Sequence, residues 1–395
     1  MLSMFMISPD LAWAFALAIA WVVGEIGHRW TGLPRISIYG LVGFLLASSQ
    51  TGFLPKARDS NLLLVANISF GLILFEVGYR INLHWLRTNA WVGISGLVES
   101  IGTFAAVYFL AQWYGVPSIA ALLIASLSMS ASPAGILRVL NEQGSSGQVT
   151  ERVLHMSVMS CVMAVFAFKV ILGFRVFQTS GSLLDAVWNS FVVLFVSAGL
   201  GALFGVTVPI LRSKLGNLCT DATVVFAISV ILLVALTASF QLSPILATLT
   251  FGLVARHRRV TLSRTQRNFG VLGDLLMVPL FVFVASTLHW PQVKTGMLLA
   301  LLLIGARLLV KTAAITLFAH ISGMTWKKGV LTGFALGPIS VFVILILEQT
   351  RYLDIDMIDY LAPLAAMALL LDLVGPIMTQ RALIWASETP DTTEG

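Results

Sequence analysis

Long apolar runs alternate along this chain with short polar or charged segments. A membrane-spanning helix needs about 20 mostly apolar residues, and thirteen runs have or approach this length. The pattern therefore predicts an all-α polytopic membrane protein with about 13 transmembrane helices. The runs lie at about residues 8–27, 35–49, 61–78, 89–113, 117–140, 151–175, 185–211, 221–239, 243–256, 270–288, 295–319, 328–349 and 357–383.

These runs leave no room for a separate soluble domain. Residues 1–384 are predicted to form a single transmembrane domain. Residues 385–395 are predicted to form a short polar, acidic tail on the cytoplasmic side. Segments of low hydrophobicity and biased charge seldom form a packed core, so we expect this tail to be disordered.

Composition supports this class and excludes others. Of the 395 residues, 58% are hydrophobic and 11% are charged, and the mean hydropathy is +0.93. No soluble globular protein has that balance. The net charge of +6 does not indicate a nucleic-acid partner, because basic excess in a polytopic membrane protein is a topology signal. Cys161 and Cys219 are too few for a disulfide framework, and no His/Cys cluster predicts a metal site.

The distribution of basic residues predicts the orientation of the chain. Cytoplasmic loops carry an excess of Lys and Arg. With the N-terminus outside, the inner loops hold 16 of these residues and the outer loops hold 5. We therefore expect an outside N-terminus and a cytoplasmic C-terminus. The expected location is a bacterial inner membrane.

Two predicted spans carry a proline near their centre. The fifth contains SLSMSASPAGILRVL, with Ser132 before Pro133, and the twelfth contains LTGFALGPISVFVIL, with Gly337 before Pro338. Proline removes a backbone donor and breaks a helix. In lipid, irregular backbone survives only where it is buried in protein or lines a cavity. Each break is therefore either a tolerated kink or part of a binding site.

The positions of the two breaks predict an internal repeat. They are seven spans apart, an odd number, so the two broken helices run in opposite directions. Broken helices at corresponding positions of two inverted halves indicate a transporter's midplane site. The predicted repeats cover about residues 8–175 and 221–384, joined by a helix at about 185–211. The alternative is a chance match between two tolerated prolines.

Several ionisable residues lie inside predicted spans, where they are costly and usually functional. Glu76 lies about a turn from a span end, where an ion pair with a neighbouring arginine is its favoured role, whereas Glu99 and Asp372 lie near mid-span. Arg307 and Lys311 are four residues apart and place two cations on one helix face. They need buried carboxylates or backbone carbonyls as partners. Lysine could also take up and release a proton, which arginine could not; alternatively, Lys311 only holds a salt bridge.

Four segments resemble a known family in their order and spacing. They are LPRISIYGLVGFLLA, LLLVANISFGLILFEVGYRINL, SMSASPAGILRVLNE and LLLIGARLLVKTAAITLFAHISGMTWKKGVLTGFALGP. They resemble the second, third, fifth and paired eleventh and twelfth helices of the monovalent cation:proton antiporters, in the Kef-like and NapA-like sodium/hydrogen exchanger branch. Lys311 is placed at the family's buried lysine.

This resemblance implies a secondary transporter, not an enzyme, that exchanges H⁺ for Na⁺ or K⁺ by alternating access. It implies two broken helices that cross at the midplane, and a homodimer in the lipid bilayer. No cofactor or resident metal is implied. The residues expected along the ion and proton path are Ser130, Ser132, Pro133, Ser160, Cys161, Lys311 and Pro338.

The sixth span departs from the family pattern. Family members carry an aspartate there that binds the ion and the proton in competition. Here the matching window is HMSVMSCVMAVFAF, which places Ser160 and Cys161 at that position. A buried thiol is a poor substitute for a carboxylate. The residues that could take over its role are Asp372, slightly favoured, then Glu99, with Glu76 as a third candidate carboxylate.

Three explanations of the missing aspartate stay open. The carboxylate has moved to another helix, or Lys311 carries the proton while hydroxyls and carbonyls hold the ion. In the third, the protein no longer exchanges cations. It would then carry another solute, such as an organic anion, or act as a membrane sensor without transport.

Overall fold

A computed structural model describes residues 8–55, 60–180, 183–215, 222–257, 263–345 and 361–390, and the regular elements in these ranges are helices. A further helical segment begins at residues 342–345. The helices are α1 (Pro9–Thr31), α2 (Arg35–Leu46), α3 (Ser60–Arg80), α4 (Leu83–Thr88), α5 (Ala90–Trp113), α6 (Ser118–Ser128), α7 (Pro133–Glu142), α8 (Gln148–Ser180), α9 (Leu183–Leu215), α10 (Ala222–Ser239), α11 (Pro244–His257), α12 (Ser263–Ser286), α13 (Trp290–Ala319), α14 (Trp326–Ala335) and α15 (Ala362–Trp385).

The all-helical membrane class is confirmed. Within the described residues, eight helical segments are long and apolar enough to cross a membrane, with Ser118–Glu142 taken as one segment. Three shorter apolar helices accompany them: Arg35–Leu46, Thr223–Ser239 and Leu272–Ser286. The count of thirteen spans and the inverted repeat stay predictions. Residues 346–349 and 357–360 of the last two predicted spans lie outside the described residues, as do residues 391–395 of the predicted tail.

Local chemistry fixes the ends of the helices. The Ser8 hydroxyl caps α1 by accepting a hydrogen bond from the Leu11 amide at 3.3 Å, and Pro9 takes the first helical position. Proline is favoured there because its missing N–H would have no partner in the helix. The helix ends at Gly32, whose φ of 66° is left-handed, a conformation that glycine adopts without strain.

The helices pack into two bundles. The first bundle consists of α1–α3 and α9–α12, and the second consists of α5–α8 and α13–α15. Between them, α2 packs against α15, α3 against α7, and α8 against α9. Both bundles present large apolar side chains outward; Phe195 of α9 and Leu309 of α13 are each 73% exposed. Such faces suit contact with lipid.

Glycines bring helices of the first bundle into close contact. A methyl group at Gly252 of α11 would lie 2.1 Å from the Phe75 carbonyl oxygen of α3. A methyl group at Gly201 of α9 would lie 2.1 Å from the Ala247 carbonyl oxygen of α11. Small residues allow this approach in membrane helices, where packing replaces the hydrophobic effect. The α3–α11–α9 layer is therefore closely packed.

The predicted tail is not disordered over its described part. Glu388 is only 6% exposed, and its backbone carbonyl accepts a hydrogen bond from the Ser146 amide at 2.9 Å. Its carboxylate accepts from the amides of Val149 and Thr150 at the start of α8, each at 2.9 Å, and from Lys328 of α14 at 3.1 Å. The expectation of disorder was wrong here because the free amides of a helix N-terminus bind a carboxylate well.

Candidate ion site at the crossing of two broken helices

The first break separates α6 from α7 at the predicted residues. Helix α6 ends at Ser128 and α7 begins at Pro133. The Ser132 hydroxyl caps α7 by accepting a hydrogen bond from the Gly135 amide at 3.1 Å, and the Ser130 hydroxyl donates to the Leu127 carbonyl at 2.8 Å. The serines that the sequence placed in the ion path thus stabilise the two helix ends.

The second break lies at the end of α14. That helix ends at Ala335, and helical structure resumes at residue 342. Helix α15 packs closely against the break, since a methyl group at Gly375 would lie 2.6 Å from the Pro338 Cα atom. The predicted proline therefore lies in a non-helical segment that packs against α15.

The two breaks contact each other through the backbone. The Ser132 amide donates a hydrogen bond to the Pro338 carbonyl at 3.0 Å. The Ala131 amide donates to the Ser160 hydroxyl of α8, also at 3.0 Å. Ser160 therefore supplies an oxygen to the unwound chain at the position where the sequence predicted the family's missing acid.

Arg307 of α13 binds the carbonyl groups of both breaks. It is fully buried. Both α6 and α14 point their C-terminal ends at the crossing, and such ends carry partial negative charge. The five-donor guanidinium matches this cluster of acceptors. Its hydrogen bonds run to the carbonyls of Ser128 (2.8 Å), Ser130 (2.7 Å), Leu336 (3.3 Å), Gly337 (2.6 Å) and Pro338 (3.2 Å).

Lys311, one turn further along α13, forms an ion pair with Glu99 of α5. Both side chains are completely buried. The ammonium also donates to the Met129 carbonyl in the first break at 3.0 Å, and the Ser100 hydroxyl donates to Glu99 at 3.2 Å. The prediction that Arg307 and Lys311 need buried carboxylates or carbonyls is confirmed.

The candidate acids lie in different surroundings. Glu99, not the slightly favoured Asp372, contacts Lys311. Asp372 of α15 is 5% exposed and has no ion pair or hydrogen bond within the described part of the chain. Glu76 of α3 pairs with Arg80 at 3.1 Å and belongs to the first bundle, whereas the crossing lies in the second.

Cys161 lies in the second bundle near the crossing. It is fully buried beside Ser340 of the second break. The described residues contain no group of three His, Cys, Asp or Glu side chains that could hold a metal ion. The thiol is therefore a packing neighbour of the crossing, and the ionic groups come from α5, α13 and α15.

Two features escaped the sequence analysis. Arg307 was recognised as a buried cation but was not included among the site residues, because its five backbone acceptors come together only in the tertiary structure. The second feature is a set of ion pairs between the bundles. Its local signal was the spacing of Arg138 and Glu142, one turn apart on α7. The pairs are Arg35–Glu142 (2.8 Å), His28–Glu142 (3.1 Å) and Arg138–Asp274.

Comparisons with known proteins identify the family to which the chain belongs. The family model described as sodium/hydrogen exchanger, transmembrane, matches residues 14–385. A search of curated protein sequences found no match. The fold is similar to the sodium proton antiporter MjNhaP1 from Methanocaldococcus jannaschii at pH 8, with a TM-score of 0.73, 16% identity, and coverage of 96% of this chain and 100% of that chain.

A second structure of MjNhaP1, from a three-dimensional electron microscopy map, gives a TM-score of 0.67 at 16% identity. It covers 95% of this chain and 94% of that chain. At this identity the structural likeness shows the fold alone, while the family model spans nearly all of the chain. The chain therefore belongs to the sodium/hydrogen exchanger family, whose members are transporters and not enzymes.

Proposed function

We propose that this protein exchanges H⁺ for a monovalent cation, Na⁺ or K⁺, by alternating access. One observation carries the proposal: the completely buried Glu99–Lys311 pair beside the crossing of the two breaks. A buried carboxylate supplies the charge that a cation needs, and the lysine beside it can hold a proton. The pair thus supplies both functions on α5 and α13, without an aspartate on α8.

Exchange follows from competition for Glu99. A cation that binds the carboxylate displaces the Lys311 ammonium, which then lies buried one turn from Arg307 without a counter-charge. Burial of an unpaired charge is very costly. Lys311 therefore releases one proton to water and becomes a neutral amine. One positive charge enters the site and one leaves, so the net charge of the site is unchanged and the step is reversible.

The division into two bundles supports alternating access. Arg307, Lys311, Glu99 and both breaks belong to the second bundle, so movement of that bundle would carry the whole site past the first. A cavity of about 520 Å³ opens near the α7–α8 connection, lined from the first bundle by Tyr79, Arg80 and Arg256 and from the second by Asn141, Thr150 and Glu151, among others. The ion pairs between the bundles lie at this same end.

Assembly and orientation are further parts of the proposal. The family resemblance supports a homodimer in a bacterial inner membrane, with the N-terminus outside and the C-terminus in the cytoplasm. The excess of basic residues in the predicted inner loops supports the orientation. A reporter protein that is active only in the cytoplasm should be active when it is fused after residue 395, and a reporter that is active only outside the cytoplasm should not. Native mass spectrometry should detect the dimer.

Transport of an organic anion is the second candidate function. The two cations at the crossing, with no acid on α8, favour it. However, Arg307 donates to five carbonyls and Lys311 to Glu99. Neither cation is left for a solute, so the geometry favours cation exchange. A sensor without transport would need no titratable pair inside the bundle.

Proton flux in proteoliposomes tests this function. Purified protein is reconstituted with an imposed pH gradient, and Na⁺, Li⁺, K⁺ or Rb⁺ is added between pH 6 and 9. We expect at least one cation to dissipate the gradient with wild-type protein, and neither Glu99→Gln nor Lys311→Ala to do so. If folded wild-type protein responds to none of these cations, the antiport proposal fails and anionic solutes become the next substrates to test.

A further inference from the structure

A second buried acid near the crossing has no role in the exchange step above. Asp372 lies inside α15 and is 5% exposed. The described residues give it no cation and no hydrogen-bond donor. An unpaired acid at membrane depth is expensive and usually functional.

Contacts between α15 and the second break fix the level of Asp372. The Thr379 hydroxyl donates to the Ala335 carbonyl at 2.8 Å, and Gly375 packs on Pro338. Helix α15 and the segment of the second break therefore run in opposite directions. Asp372 lies one turn beyond Gly375, about 4.5 Å further along the helix axis and on the same face. This places it beside the residues that follow Pro338, before helical structure resumes at residue 342.

Two oxygen atoms that lack their usual hydrogen-bond partners lie at about the same height along α15 as Asp372. The Ser340 hydroxyl is buried; the Cys161 thiol lies beside it, and no nitrogen or oxygen atom of the described residues is within hydrogen-bond geometry. Within α15, Pro376 has no N–H to donate to the Asp372 carbonyl four residues earlier, so that carbonyl lacks its usual helical partner. Carboxylate, carbonyl and hydroxyl oxygens are the ligands that hard cations prefer.

The charges of the crossing point to the same residue. Arg307 is matched by backbone carbonyls, and Lys311 is matched by Glu99. Asp372 is the acid of this set that no side chain among the described residues compensates. The position suits a carboxylate that exchanges its counter-ion.

We propose that Asp372, its own backbone carbonyl and the Ser340 hydroxyl form a binding site for the transported monovalent cation, distinct from the Glu99–Lys311 pair. The inference rests on the proposed antiport and deepens it. In this account Asp372 binds either a proton or the cation. When the cation arrives, the Asp372 O–H bond breaks, the proton leaves to water, and the carboxylate coordinates the cation with no change in net charge. Transport still requires the exchange step at Glu99, so both acids are needed.

Equilibrium binding of ²²Na⁺ and ⁸⁶Rb⁺ to the purified full-length protein tests this site without requiring transport. Because Glu99 also binds the cation in this account, we expect two classes of binding site in the wild type. Asp372→Asn should weaken binding at one class by about tenfold or more, because the amide has the same shape but no charge. Ser340→Ala should weaken it by about threefold. Ser69→Ala is the matched control, since Ser69 of the first bundle is also buried without a hydrogen-bond partner; its affinity should equal that of the wild type.

The outcomes separate this inference from the antiport proposal. Wild-type affinity in Asp372→Asn, or no binding of either ion by the wild type, overturns the Asp372 site. Absence of cation-driven proton flux in the wild type overturns antiport instead. If Asp372→Asn does not fold, Asp372→Glu is decisive, because its longer side chain should change the ratio of Na⁺ to Rb⁺ affinity. An unchanged ratio would also reject the site.

Discussion

Two groups of charged residues lie near the two ends of α7, and they differ in burial and in the partners that they bind. At the crossing, Arg307 and Lys311 are completely buried and bind backbone carbonyls and Glu99 within the second bundle. Between the bundles, each ion pair joins side chains on different bundles and has one member that reaches solvent: the Asp274 side chain is 43% exposed and that of Arg35 is 23% exposed, whereas the Glu142 side chain is 2% exposed.

This difference assigns different roles to the two groups. Buried charges with several fixed partners are costly to disturb, because a lost partner leaves a charge without compensation. Partly exposed pairs contribute little to stability and can separate when the bundles move. The crossing therefore maintains the site, while the interface pairs influence which arrangement of the bundles is populated.

The largest effect is expected at Arg307. Arg307→Lys keeps the charge but cannot reach the carbonyls of both breaks at once. We expect loss of transport and a fall in the free energy of unfolding of about 3–5 kcal/mol. Thermal unfolding in detergent, followed by tryptophan fluorescence, measures the change. Arg381→Lys, on an exposed position of α15, is the control and should unfold like the wild type.

A smaller loss is expected at Ser160. Ser160→Ala removes the acceptor of the Ala131 amide and leaves that buried donor unpaired, at a cost of about 1–3 kcal/mol. Ser157→Ala is a matched control, because among the described residues the Ser157 hydroxyl donates only to the Leu154 carbonyl of its own helix. Equal unfolding temperatures for the two variants would show that Ser160 does not support the break.

A change at the interface should alter transport as well as stability. Glu142→Gln removes the charge shared by Arg35 and His28. The Glu142 side chain is only 2% exposed, but Arg35 keeps Glu25 as a partner and reaches solvent, so we expect a loss of stability of about 1–2 kcal/mol. The transport rate should change by a few-fold, and the variant should respond less than the wild type to ionic strength, since salt screens partly exposed charges. Wild-type rate and salt dependence would argue against a role for these pairs in bundle movement.

The smallest effect is expected at Glu388, outside the membrane spans. Burial opposes its ionisation, but hydrogen bonds from the Val149 and Thr150 amides and from Lys328 outweigh it and hold the pKa of Glu388 below its ordinary value. Its contribution to stability is therefore present at neutral pH and lost as the pH falls through the lowered pKa.

Glu388→Gln should accordingly destabilise the protein by about 1 kcal/mol at pH 7, the usual value of a helix cap. The difference from the wild type should shrink as the pH is lowered into and below the ordinary glutamate range. Unfolding temperatures recorded from pH 7 down to about pH 3 measure this. A difference that grows on acidification would contradict the assigned pKa direction.

Features with local causes were predicted well from the sequence. Proline and serine chemistry acts within a few residues, so the first break appeared at Ser130–Pro133 and the second at Pro338. The spacing of Arg307 and Lys311 also predicted their shared need for buried partners. Apolar runs of the right length gave the positions of most helices.

Features that depend on tertiary packing were not predicted. Glu99 and Lys311 are far apart in sequence, and only the packing of α5 against α13 brings them together. The same holds for the carbonyls around Arg307 and for the pairing of α7 with the first bundle. The tail was misjudged because its binding site, the N-terminus of α8, is distant in sequence from Glu388.

The most direct test of the central claim is proton release on cation binding. Purified protein in weakly buffered detergent solution is titrated with Na⁺ or K⁺ while a pH-sensitive dye records the free proton concentration. We predict that the wild type releases protons on cation addition and that Glu99→Gln releases markedly fewer, because the cation no longer displaces Lys311 from a carboxylate. Equal proton release by the two proteins would contradict exchange at the Glu99–Lys311 pair.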